Sequence, residues 1–126
     1  MTYLEKWFDF NRRQVELEAI LEQTIADQSD QSLTLKEFYL LHFLNQAQEK
    51  SLRQIDLPDK LHLSPSAVSR MVARLEEKNC GLLSRRCCDQ DKRASFICLT
   101  SEGQTTLAYL QKAVEESLET KADWLF

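Results

Sequence analysis

A chain of 126 residues with only two glycines and two prolines is long enough for one domain with a real core, yet poor in the turn chemistry a β-sandwich needs. Gly81 and Gly103 cannot write either glycine-rich phosphate loop, and two distant histidines among scattered carboxylates suggest no nucleophile–base pair, so an enzyme is not expected. Sixteen basic against twenty acidic side chains give a net charge of −4, which taken whole argues against a nucleic-acid partner.

Residues 3 to 28 predict one long helix, with Leu4, Trp7, Phe8, Val15, Ile20, Leu21 and Ile25 at helical spacing and a polar break at Asn11-Arg12-Arg13-Gln14. Asp27 to Ser32 reads as a polar linker. Thr34-x-x-Glu37 is a capping box opening a second helix with a buried edge of Leu35, Phe38, Leu41 and Leu44. Leu52 to Leu61 predicts a short third helix, which Pro58 must kink or delay. Ser64 as N-cap and Pro65 at the first position open a fourth, with Ala67, Val68, Met71, Val72 and Leu75 on its apolar face and an end expected near Asn79-Cys80-Gly81. Two strand-like runs follow, Leu82 to Cys87 and Ala94 to Leu99, joined by a polar turn. Thr100 caps a last helix striped by Leu107, Leu110, Val114, Leu118, Ala122 and Leu125. The expected fold is mostly α (α+β): a winged helix-turn-helix domain with long N- and C-terminal helices.

Charge divides along the same lines. Residues 1–49 carry four basic and nine acidic groups and residues 94–126 carry two and five, whereas residues 50–93 carry ten and six. Local potential governs phosphate contact, because salt screens charges beyond about 8–10 Å. The basic middle therefore reopens the nucleic-acid reading. Ser64, Ser66, Ser69, Arg70 and Arg74 lie at the cap or on the polar side of the fourth helix, where hydroxyls and an arginine fork could read base edges, although a solvated face would look the same. Arg85, Arg86, Lys92 and Arg93 cluster at the hairpin, within reach of phosphates or a minor groove.

Ser64-Pro-Ser-Ala-Val-Ser-Arg-Met-Val-Ala-Arg-Leu-Glu76 resembles the recognition helix of the MarR family of bacterial winged-helix transcription regulators. Asp91-Lys-Arg93, followed by Leu99-Thr100-Ser-Glu-Gly103, matches that family's D-x-R and L-T-x-x-G wing signature. The resemblance covers roughly residues 33–110. It implies a homodimer on a pseudo-palindromic operator, with Ser66, Ser69, Arg70 and Arg74 contacting DNA, Arg93 in the minor groove, and Asp91 supporting Arg93. It also implies a single domain over 1–126, with dimerisation helices in 1–32 and 101–126 around a winged core at 33–100, and a short form lacking the family's last C-terminal helix. Trp7, Phe8, Phe10, Trp124 and Phe126 are candidate dimer anchors. The sequence departs from the family at Pro58, where a small residue is usual, at the apparent two-residue insertion Asn79-Cys80, and at Ser95 in the second strand.

Cys87 and Cys88 beside Arg85 and Arg86 are candidate redox groups, since basic neighbours favour a thiolate; small buried hydrophobes are the alternative. No cofactor is expected, and no metal, because the cysteines and the distant His42 and His62 lack ligand spacing. The family often takes small aromatic ligands, for which Tyr39, His42 and Phe43 are lining candidates. The first ten residues carry no basic head with an apolar run, and no apolar run is longer than the four residues of Phe38 to Leu41. A cytoplasmic location with reduced thiols and no membrane partner is therefore expected. The expected partner is double-stranded DNA. The competing function is a winged-helix protein-interaction module that no longer binds DNA.

Overall fold

The structure, a computed structural model, describes residues 1–87 and 95–125. Residues 1–35 with 110–126 form one compact unit and residues 36–109 another.

In the first unit, helix α1 spans Tyr3–Gln28. Thr2 opens it with a capping box: its hydroxyl accepts from the Glu5 amide at 3.1 Å, and its own amide donates to the Glu5 carboxylate at 2.7 Å. The polar break in the stripe is a surface ladder, in which Arg12 pairs with Asp9 at 2.9 Å and Glu16 at 3.2 Å. Leu17 and Ile25 are buried, whereas Leu4, Trp7, Phe8 and Phe10 remain 57–64% exposed. The last long helix, α5 (Ser101–Thr120), buries Leu110 and Val114 here, and its Ser117 hydroxyl meets that of Thr24 at 2.9 Å. The single last helix expected to carry its stripe through Ala122 and Leu125 is interrupted by a turn at Lys121, and a short helix α6 follows at Ala122–Leu125. The Leu35 amide, at the head of α2 (Leu35–Gln46), donates to the Glu22 carboxylate, satisfying one donor that a helix start leaves without an internal partner.

The second unit is built on α2, whose Phe38, Leu40, Leu41 and Leu44 are buried. Helices α3 (Leu57–Leu61) and α4 (Pro65–Leu75) follow, then strands β2 (Leu83–Cys87) and β3 (Ser95–Leu99). Their apolar faces supply Leu57, Leu61, Val72, Leu75, Leu83 and Ile97, all at 1% exposure or less. Each such side chain contributes about 1.5–3 kcal/mol relative to exposure.

Two further expectations are corrected. Leu52 to Leu61 is not one helix: Ser51–Arg53 forms strand β1 and Gln54–Asp56 a 3-10 turn, and the helix begins only at Leu57. Pro58 then sits in the first turn, where its missing N–H would have had no helical acceptor. The strand joins an antiparallel sheet of order β1-β3-β2, with Leu52 and Arg85 on either side of Ile97. The fourth helix also ends early, at Leu75. Glu76 is extended (φ −61°, ψ 159°), and its carbonyl accepts the amides of Asn79, Cys80 and Gly81 at 2.9–3.0 Å. The apparent insertion is thus folded into a turn around one carbonyl, closed by Gly81 at φ +77°.

Candidate nucleic-acid interface

The turn between α3 and α4 is made by His62, in the left-handed region at φ 55° with its amide on the Pro58 carbonyl. Lys36 Nζ donates to the Leu61 carbonyl at 2.6 Å, meeting the negative end of α3 with a cation. Ser64 is extended, and its hydroxyl accepts the Ala67 amide at 3.1 Å. Val68, Val72 and Leu75 turn inward, leaving Ser66, Ser69 and Arg70 exposed together on α4.

Arg74 shares the helix but is engaged differently. Its Nε donates to Glu37 Oε2 at 2.8 Å and its Nη2 to Oε1 at 2.7 Å, a two-point grip on a carboxylate only 4% exposed. That hydrogen bonding raises the Arg74 pKa, with partial burial acting in the opposite direction. The guanidinium fastens α4 to α2.

Arg85 on β2 ion-pairs with Glu76, just past the end of α4. Its Nη1 also donates to Gln54 Oε1 at 3.0 Å, and Gln54 Nε2 donates to Ser69 Oγ at 3.2 Å. Two residues expected on separate elements, Ser69 and Arg85, are thereby joined through a third that sequence reasoning missed. Gln54 sits alone between Arg53 and Ile55, in no motif, and only the fold reveals it.

Arg86 and Cys87 pair through their backbones with Phe96 and Ser95. Their side chains, together with Cys88, Asp91, Lys92 and Arg93, lie outside the described residues. The wing base is described and explains the L-T-x-x-G pattern. Thr100 Oγ1 donates to the Gly81 carbonyl at 2.7 Å and accepts the Gly103 amide at 3.0 Å. A Cβ on Gly103 would fall 2.3 Å from the Leu82 carbonyl oxygen, so only glycine lets α5 start against this backbone. Cys80 is half-buried; Cys98 is buried, its Sγ 3.5 Å from Ser51 Oγ. Among the described residues no group of three metal-ligating side chains forms, and no helix is long and apolar enough to cross a membrane. Tyr39, His42 and Phe43 are half-buried on α2, with the His42 and Phe43 rings 5.9 Å apart.

The MarR family profile matches residues 33–95, half of the chain. The chain belongs to the MarR family. The MarR fold extends well beyond the matched segment. Sco3205, a MarR family transcriptional regulator from Streptomyces coelicolor crystallised in complex with DNA, superposes with a TM-score of 0.83 at 25% identity, over 95% of this chain and 77% of that one. AbsC, a MarR regulator from the same organism, gives 0.85 at 24% identity, over 100% and 83%. MarR itself, from E. coli, gives 0.80 at 20% identity, over 96% and 82%. No curated protein matches in sequence. As a MarR protein the chain is a DNA-binding transcription regulator of the winged helix-turn-helix class, and not an enzyme.

Proposed function

We propose that this MarR protein acts as a homodimer on a pseudo-palindromic duplex operator, placing α4 in the major groove and the wing over the flanking minor groove. The observation that carries the proposal is the exposed face of α4. Ser66, Ser69 and Arg70 stand together near the N-terminus of a helix capped by Ser64, in a fold shared with a relative crystallised on DNA. Ser64, Ser66, Ser69 and Arg70 are the direct contacts of α4, with Arg74 supporting them through Glu37. Arg85, Arg86, Lys92 and Arg93 act from the wing, Asp91 orienting Arg93. The whole chain, 1–126, works as one MarR-like domain, with residues 1–32 and 101–126 supplying the dimer helices around a core at 33–100.

The test is selection from a randomised duplex library followed by gel shift of the enriched sequence. A two-fold symmetric site with half-sites about ten base pairs apart is expected, with affinity falling steeply as salt rises. Arg70→Ala is expected to lower preference for the selected duplex over random duplex by roughly tenfold. Enrichment of no sequence, with no salt-sensitive shift, overturns the proposal and favours a protein-interaction module.

A further inference from the structure

The polarity of the Arg85–Gln54–Ser69 chain is fixed by its first member. A guanidinium can only donate, so the side-chain amide of Gln54 must turn its oxygen toward Arg85, 3.0 Å away. Its NH2 group then faces Ser69, 3.2 Å away, and a hydroxyl receiving that proton acts there as acceptor. Arg85 is itself anchored by the Glu76 carboxylate, which keeps the head of the chain in place. Hydrogen bonds in series polarise one another in the same sense. Ser69 is exposed on α4, and with Gln54 donating to its oxygen the hydroxyl proton is left for another acceptor. From this we infer that Gln54 is a specificity-determining positioning residue. Through Ser69 it frees a hydrogen-bond donor for DNA, so that α4 favours an acceptor at the position Ser69 meets. The acceptors that would carry sequence information are a purine N7, guanine O6 or thymine O4.

The inference rests on the DNA-binding proposal above, and the experiment separates the two. Binding is measured to the duplex selected by the parent protein and to copies carrying single replacements: 7-deazapurines, bases with the O6 or O4 acceptor removed, and methylphosphonates at each phosphate. In the parent, one acceptor deletion near the α4 contact is expected to weaken binding roughly three- to tenfold, and in Ser69→Ala the same deletion changes little. Sensitivity to a base deletion supports the inference; sensitivity to a methylphosphonate alone overturns it, since a phosphate contact carries no sequence information.

The decisive variant is Gln54→Glu. A carboxylate accepts from both Arg85 and the Ser69 hydroxyl, which reverses the chain and leaves Ser69 an acceptor toward DNA. Repeating the library selection with this variant is expected to remove the acceptor requirement at that one position, and Gln54→Leu to weaken it. Circular dichroism on each variant checks that it is folded, and either variant alone suffices. A selection unchanged by both variants overturns the inference and leaves the DNA-binding proposal standing. A parent protein that selects nothing overturns both.

Discussion

Glu37 is a carboxylate at 3% exposure, and its grip on Arg74 ties the helix proposed to read DNA to the one beneath it. The two partners are unequal, since the Arg74 side chain keeps 40% of its surface and Glu37 keeps 4%. Removing one partner takes the two-point ion pair from the other, and that loss costs more the deeper the remaining charge lies. Arg74→Met is therefore expected to destabilise more than Glu37→Met, with losses of about 1–4 kcal/mol that urea titrations of the two variants will rank. The contribution of Arg74 does not depend on pH near neutrality. Glu37 raises a pKa that is already high, so the share carried by Arg74's own titration is fully present below the unfolded value and is lost as pH rises through the folded one. Sequence alone could place Arg74 on the polar side of its helix. It could not show that the guanidinium is held by a residue 37 positions earlier.

At the scale of elements, Ser64 does two things that one substitution can separate. Its hydroxyl caps α4 at 3.1 Å from the Ala67 amide, and the same position stands at the end of the helix proposed to face phosphates. Ser64→Asp keeps a good cap and suits the helix dipole, so thermal stability should stay within about 0.5 kcal/mol of the parent. Binding to any duplex should nevertheless fall in a gel shift, because the new carboxylate meets phosphate. The start of α4 was legible because Ser64-Pro65 is a local signal. The long α1, the paired strands β2 and β3, and the part of the α5 stripe at Leu107, Leu110 and Val114 were legible for the same reason. What escaped was non-local. Ser51–Arg53 carries no alternation long enough to read as a strand and becomes one only because β3 lies beside it. The end of α4 escaped because a single carbonyl, that of Glu76, gathers three amides that would otherwise have looked like one more helical turn. In the candidate site, Ser66, Ser69 and Arg70 were readable from the amphipathic pattern. Gln54 was not, since its role exists only where the 3-10 turn meets both α4 and the wing.

At the scale of the whole molecule, the net charge of −4 hides a basic middle between acidic ends, so the sum misleads about partners. The first turns of α1 leave Leu4, Trp7, Phe8 and Phe10 more than half exposed, a patch of the kind that a second copy of the chain would cover. If the proposed dimer forms through this patch, Phe8→Glu is expected to give monomer in sedimentation velocity and to weaken binding to the selected duplex; an unchanged dimer would move the interface elsewhere. The strand β1 has a consequence for how the protein is made. Ser51 lies 47 residues ahead of its sheet partner Cys98. At cellular rates of synthesis the ribosome needs about 2–10 s to deliver that partner. Through that interval the nascent strand has open edges, and its composition protects it: Leu52 is flanked by the hydroxyl of Ser51 and the charge of Arg53, a poor template for mispairing.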